Sequence, residues 1–440
     1  MKPSLVIHEG REAALRFVSG LESRMPGEDP TVVQTVRSIV GEVRTGGRAA
    51  LLSLREKYEG VSREAPLTVD TLADADLKAR AEGAPREVVE AIALSVDRVR
   101  RYHDIQRDQT RVLQDGASSF ASRVQPLDAV ALYVPGGKAF YPSSVVMSAI
   151  PARVAGVKRI AIFTPARSLE NPVFAATVRT LGIREVHAVG GAQAVAAAAF
   201  GVEGLARVDK MVGPGNVYVA TAKQMLAGRM GIDGFAGPSE ILVLGDGSSP
   251  ARWVAADLLA QAEHDEEASA VLVTTSREEA AAVAAEVEAL LPSLGAREPI
   301  ARASLARYGA ALVVASREEL VEVANAIASE HLHVHTACAL TPEGRAFWSE
   351  RLRGVGAVFL GRYTAESFGD YLAGPSHVLP TAGTARFASP LGVYDFVRRS
   401  SILHLSAEDA HALADATDAF ARAEELPAHA LSARLRKGQD

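Results

Sequence analysis

Eight short runs of β-branched and aliphatic residues punctuate the chain from residue 129 onward: AVALYV (129–134), RIAIFT (159–164), REVHAV (184–189), VDKMV (208–212), EILVLG (240–245), SAVLVTT (269–275), AALVVAS (310–316) and GAVFLG (356–361). Most lead through a glycine or proline turn into a helical pattern. Strands alternating with helices imply a largely parallel sheet, or two of them. At 440 residues the chain is too long for one ordinary domain, so two or more are expected.

Ahead of these runs, Val32, Val36, Ile39, Val40 and Val43 recur at helical spacing, and Pro85 opens a second helical stretch that ends in a basic cluster. Basic residues suit a helix C-terminus, so the cluster reads as a solvated face. The alanine-rich stretch 188–202 reads as a buried helix. After about residue 384 the sheet pattern stops, and 406–437 is helical and polar, with a break near Pro427.

A net charge of −6 gives no basic footprint for nucleic acid. The single cysteine, Cys338, excludes an intramolecular disulfide framework and a thiolate zinc finger, and suits the cytoplasm. No uncharged apolar run is long enough to span a bilayer, and the N-terminus lacks the apolar core of a signal peptide.

Ligands on parallel sheets gather beyond the carboxyl ends of strands. Three glycine loops stand at such ends: YVPGG (133–137), AVGGAQA (188–194) and VGPGN (212–216). Glycine admits a ligand close to the backbone, and a helix start favours an anion. The trio suggests a nucleotide, although none matches the G-x-G-x-x-G fingerprint.

ASEHLHVHTA (328–337) places His331, His333 and His335 at every second position, hence on one face of a strand. Such a row is a metal grip, a base with bystanders, or polar filling. Gln261 and His264 of QAEH lie three apart on a helix and share a face. Asp370 and His377 fall in a glycine- and proline-rich loop, and Ser239 and Glu240 precede a strand. Taken singly, each has an ordinary structural explanation.

In order, YVPGG, GGAQA, GPGN, AGPSE, QAEH, SEHL, GDY…GPSHVLPTAGTARF and AEELPAH make the chain resemble the histidinol dehydrogenase family from about residue 30 to the C-terminus. The resemblance implies oxidation of L-histidinol to L-histidine through an aldehyde, the last steps of histidine biosynthesis, with NAD and Zn2+ as cofactors. It assigns zinc to Gln261, His264, Asp370 and His429, a thiolate-free set suited to a metal that also accepts substrate nitrogens. It assigns acid/base chemistry to Glu330 and His331, with Glu330 activating the water that hydrates the aldehyde. NAD falls to Tyr133, Gln193 and Asn216. Substrate contacts fall to Ser239, Gln261, His264, His331, Asp370, Glu424 and His429, with His377 lining the pocket.

His333 and His335 match no family role and are expected to be ordinary strand residues rather than ligands. Cys338 is expected to be a small buried hydrophobe inside a strand. Ser329 replaces the family's usual proline and Ser376 its common asparagine, which bears on loop rigidity more than on identity.

The implied fold is α/β, with two incomplete Rossmann-like parallel-sheet domains and small N- and C-terminal helical segments. Its boundaries are an N-terminal segment (1–26), a discontinuous domain carrying metal and catalytic motifs (27–132 and 241–383), an NAD domain (133–240), and a C-terminal segment (384–440) reaching across a homodimer. Rival readings are a related zinc- and NAD-dependent oxidase of another polar alcohol, a zinc hydrolase using Glu330, and a non-catalytic binder. Glu424 disfavours an anionic substrate, and NADH production separates a dehydrogenase from a hydrolase.

Overall fold

The computed structural model describes residues 4–22, 29–136, 141–234 and 237–437. Gly137 of YVPGG, Phe235 and Ala236 ahead of GPSE, and the expected boundary at 26/27 lie outside the described residues. The strands are β1 (Val6–Glu9), β2 (Thr68–Asp70), β3 (Arg111–Asp115), β4 (Ser118–Pro126), β5 (Ala129–Tyr133), β6 (Arg159–Thr164), β7 (Glu185–Ala188) and β8 (Lys210–Val212). They continue with β9 (Gly231–Ile232), β10 (Glu240–Gly245), β11 (Ser269–Thr274), β12 (Gly309–Val313), β13 (His331–Val334), β14 (Ala357–Leu360) and β15 (Val397–His404). All eight β-branched runs form strands.

Two six-stranded sheets result. The first has the order β1-β12-β11-β10-β13-β14 and is parallel throughout. The second has the order β2-β7-β6-β5-β8-β9 and is parallel except at β2–β7. Helices cover both faces. In β10, Ile241 and Val243 enter one core while Leu242 and Leu244 enter the opposite one. A strand buried on both faces must be apolar at every position, which is why the runs are continuous rather than alternating. The α/β architecture matches the expectation.

The division of the chain between the sheets differs from it. The helix Pro30–Glu59 starts at an Asp29 cap that accepts from Thr31 N–H at 2.8 Å, and breaks at Gly47. Its buried Val36, Ile39, Val43, Leu51 and Leu54 pack with Ala131, Phe163 and the alanine-rich helix Gly191–Phe200. Leu77, Ile92 and Val99 of the next helices pack on the other face of the same second sheet. The helices and β2 between residues 30 and 104, together with β5, therefore go with the second sheet instead of the first, while β3 and β4 join neither. What the N-terminus gives the first sheet is β1, with Leu5, Ala14 and Val18 in its cores. One sheet unit is still discontinuous, formed before and after the other in sequence.

The C-terminal segment is also more than helical. After a short 3-10 turn at Val393–Phe396, β15 pairs antiparallel with β4, which pairs with β3. The helices Ala407–Ala423 and Pro427–Arg434 then pack on each other. Among the described residues, no helix is long and apolar enough to cross a membrane.

Candidate active site

In β13, Leu332 and Val334 point into a core, so His331 and His333 share the opposite face. That face meets the helix Ala251–Ala262, which presents Asp257 and Gln261 one turn apart. The result is a polar seam with two tiers. Gln261 sits beside His331, and Asp257 sits beside His333 and His335.

In the first tier, His331 Nδ1–H donates to the Glu240 carbonyl at 3.1 Å. This fixes the lone pair on Nε2. That atom is buried, has no hydrogen-bond partner, and lies 3.8 Å from Asp370 Oδ1. Burial pushes the His331 pKa down to about 4, against the opposing pull of Asp370 and the Glu240 carbonyl. The imidazole is therefore neutral at neutral pH, as a proton acceptor must be.

Three carboxylates ring it. Glu330 Oε2 lies 3.7 Å from His331 Nδ1 and accepts from Glu240 N–H at 3.0 Å. Glu366 Oε1 lies 3.5 Å from the same nitrogen. Burial, then repulsion from Asp370 and Glu330, holds the Glu366 carboxyl well above the usual carboxylate range. The Gln261 amide sits 2.8 Å from Glu366 Oε1 and 3.1 Å from His331 Nδ1. Glu366 was not singled out from the sequence. The available signal was its place four residues before Asp370 on the short helix Glu366–Tyr371.

His264 follows the helix in an exposed turn, close enough for its charge to help lower the pKa values of His331 and His377. His377 Nδ1–H donates to the Asp370 carbonyl at 3.0 Å, and its Nε2 lies 3.4 Å from Ser144 Oγ. Ser144 belongs to the helix that follows β5, so this contact bridges the two sheet units. The two departures from the family pattern take hydrogen-bonding roles. Ser329 Oγ–H donates to the His331 carbonyl at 3.0 Å, and Ser376 Oγ–H to the Met147 carbonyl at 3.3 Å.

The NAD candidates do lie at carboxyl ends, after β5, β7 and β8. Gly191 N–H donates to Tyr133 Oη at 3.0 Å, which ties two of the loops together. Gln193 Nε2–H donates to Glu59 Oε1 at 3.0 Å. Asn216 caps the helix Val217–Leu226, accepting from Val219 N–H at 3.2 Å. Gly213 has φ +114°, and an added Cβ would sit 2.3 Å from the Tyr133 carbonyl oxygen, so only glycine lets these loops meet. His331 and Glu240, by contrast, stand at the amino ends of β13 and β10. The cluster around His331 thus occupies the amino edge of the first sheet, the reverse of what the strand-end rule suggests.

The structure brings Gln261, His264, Glu330, His331 and Asp370 together. His331, Glu366 and Asp370 offer ligand atoms all within 4.8 Å of one another. Ser239 lies in the half-buried turn before β10. Glu424 and His429 stand apart. Both are exposed, and among the described residues neither has a hydrogen bond or ion pair to this cluster. Cys338 is half-buried in a 3-10 turn rather than a strand.

His333 lies in β13, and His335 follows directly after its end. Both are completely buried, and both contact Asp257 Oδ2, at 2.9 Å from His333 Nδ1 and 2.8 Å from His335 Nε2. Asp257 was also missed, although it stands four residues before Gln261 on the same helix face.

The model of the histidinol dehydrogenase family matches residues 23–437. The histidinol dehydrogenase of Aromatoleum aromaticum is 46% identical over 428 residues, covering 97% of this chain and 94% of its own. That of Pseudomonas aeruginosa is 46% identical over 415 residues, covering 93% and 91%. A crystal structure of the Elizabethkingia anophelis histidinol dehydrogenase superposes with a TM-score of 0.90 at 28% identity, covering 99% of this chain and 98% of that one.

Proposed function

Since the chain belongs to the histidinol dehydrogenase family, we propose that it oxidises L-histidinol to L-histidine through histidinaldehyde, with NAD as acceptor and zinc required. As a family member it is an oxidoreductase of histidinol oxidation in histidine biosynthesis. The observation that carries the two-step reading is the buried, partnerless Nε2 of a neutral His331 beside Glu330 and Asp370.

The residues present suit a zinc ion. Gln261, His264 and Asp370 offer nitrogen and oxygen donors around His331, and His331 Nε2 and Glu366 Oε2 are buried polar atoms left without partners. When bound, zinc would orient the substrate and NAD would accept hydride. His429 and Glu424 would serve the site of a second copy in a homodimer. Exposed Phe420, Leu426, Leu431 and Leu435 around them support a partner-facing segment. The Glu424 carboxylate suits a cationic group of histidinol. Tyr133, Gln193 and Asn216 would hold NAD, and a cytoplasmic location goes with this metabolism.

His331 Nε2 takes the hydroxyl proton of the alcohol as hydride leaves carbon. Glu330 then takes a proton from the water that adds to the aldehyde, and His331 returns its proton to the former carbonyl oxygen, which leaves its Nε2 free again. The hydrate returns an O–H group to His331 for the second oxidation. Ser239 and His377 line the pocket.

Glu330→Gln tests this division of labour. It should slow aldehyde oxidation by about 10²–10⁴-fold and leave the alcohol step much less affected. The assay supplies histidinol and histidinaldehyde separately under single-turnover conditions. Equal losses in both steps would mean that Glu330 orients His331 through its contact at 3.7 Å rather than activating water.

A further inference from the structure

We propose that Asp257, His333 and His335 form a second divalent-metal site, distinct from the cluster around His331. It would take a borderline transition-metal ion on two imidazole nitrogens and one carboxylate oxygen.

His333 Nε2 lies 3.1 Å from the Gly361 carbonyl, an acceptor that requires N–H at that position. In a neutral ring the Nδ1 lone pair then faces Asp257 Oδ2 at 2.9 Å, with no hydrogen between them. His335 Nε2 closes the triangle, 2.8 Å from the same oxygen and 3.1 Å from His333 Nδ1. One proton on His335 cannot serve all three edges. A cation capping the face of this triangle satisfies all three atoms together.

The dimensions agree. Ligands about 2.1 Å from an ion and at right angles to one another stand about 3.0 Å apart. The observed edges are 2.9, 2.8 and 3.1 Å. Two histidines and one carboxylate on one face of an ion are a common arrangement that leaves its other positions open, and nitrogen-rich donors favour zinc, cobalt, nickel or ferrous iron over magnesium or calcium. The Gly361 carbonyl plays the usual part of an outer partner that fixes a ligand ring.

Both histidine side chains are fully buried, while that of Asp257 keeps 13% exposure, which opens the site on one side. Arg362 lies close enough to act on His335 and works against a cation. Its charge disfavours a protonated His335, so the same repulsion also acts against an extra proton there. Binding releases any proton held between these atoms to solvent and involves no redox change. The ion would also fasten β13 to the helix one turn from Gln261.

The test is equilibrium dialysis of metal-stripped full-length protein against Co2+, with visible absorption as a second readout. Wild type should take up two equivalents per chain. Asp257→Asn, which preserves shape, and His335→Gln should each take up one, and lose one of two visible band sets. Their retained equivalent reports an intact first site and a folded chain. His264→Ala should lose the other equivalent and keep the band set that these two variants lose. If wild type binds one equivalent, or if Asp257→Asn and His335→Gln both bind as many as wild type, the triad is held by an extra proton and the proposal is wrong. Because the readout is metal uptake by these particular variants, failure here would leave the reading of the His331 cluster standing.

Discussion

His331→Gln should slow the alcohol step of histidinol oxidation by about 10²–10⁴-fold, the usual contribution of a positioned acid/base group. Glutamine keeps approximate size and can still donate to the Glu240 carbonyl, but it has no basic nitrogen near neutral pH. The aldehyde step should fall as well, because its hydride also departs from a carbon that bears an O–H group. The pH dependence follows from burial. In the free protein the His331 pKa is pushed down to about 4, so the neutral, proton-accepting form persists through neutral pH and is lost as pH falls through that value. A base with an ordinary imidazole pKa of ~6.5 would begin to fail more than two pH units higher. Rapid-quench measurement of the alcohol step between pH 4 and pH 8, for wild type and variant, checks both statements. Retention of the wild-type rate by His331→Gln would remove His331 from the proposed base role.

His264→Ala and Asp370→Ala should each lose active-site zinc and turnover together, because removing a ligand leaves the donor set incomplete. Asp370 does more than offer an oxygen. Its carbonyl accepts from His377, and its carboxylate lies 3.8 Å from His331 Nε2. The loss should therefore be larger for Asp370→Ala than for His264→Ala, whose side chain is exposed. Metal content of the purified variants beside their turnover numbers is the check. A variant that keeps full zinc but loses turnover would shift that residue from metal ligand to substrate orientation.

The strands were the most legible part of the fold. Each core strand is buried on both faces, so the chemistry of its neighbours is written into a run of Val, Ile, Leu and Ala. The partner of a helix is not written in the same way. The stripe of Val36, Ile39 and Val43 declares an apolar face, yet a stripe of that kind can rest on either sheet. Its true neighbours, Ala131, Phe163 and the alanine-rich helix, become visible only in three dimensions. The strand β1 is four residues long, with Val6 half-exposed and Glu9 exposed, and gives a pattern method little to use. In β15, VRRSSILH has neither a clean alternation nor a buried face, since its sheet is only three strands wide.

The candidate site was legible through its motifs rather than through physical periodicity. QAEH, SEHL and GDY name residues that the structure does gather, but nothing in their spacing says that they meet. Glu366 and Asp257 went unnoticed for a related reason. Each precedes a noticed residue by four positions on a helix, and acids at that spacing usually reach solvent. Only burial separates these two from ordinary surface carboxylates. Glu366 is 1% exposed, and burial, followed by repulsion from its acidic neighbours, holds its carboxyl well above the usual carboxylate range. The row HLHVH was ambiguous in sequence because a strand face alone does not say what lies opposite. The helix Ala251–Ala262 splits the row into two tiers with different chemistry.

A four-electron oxidation is read directly from the NADH yield per histidinol consumed. With NAD in excess and zinc present, each histidinol should give two NADH and free histidine. Chelation should abolish both oxidations together. One NADH per histidinol, with histidinaldehyde released into solution, would contradict the account, because it would mean that the Glu330 and His331 cluster does not carry the second oxidation.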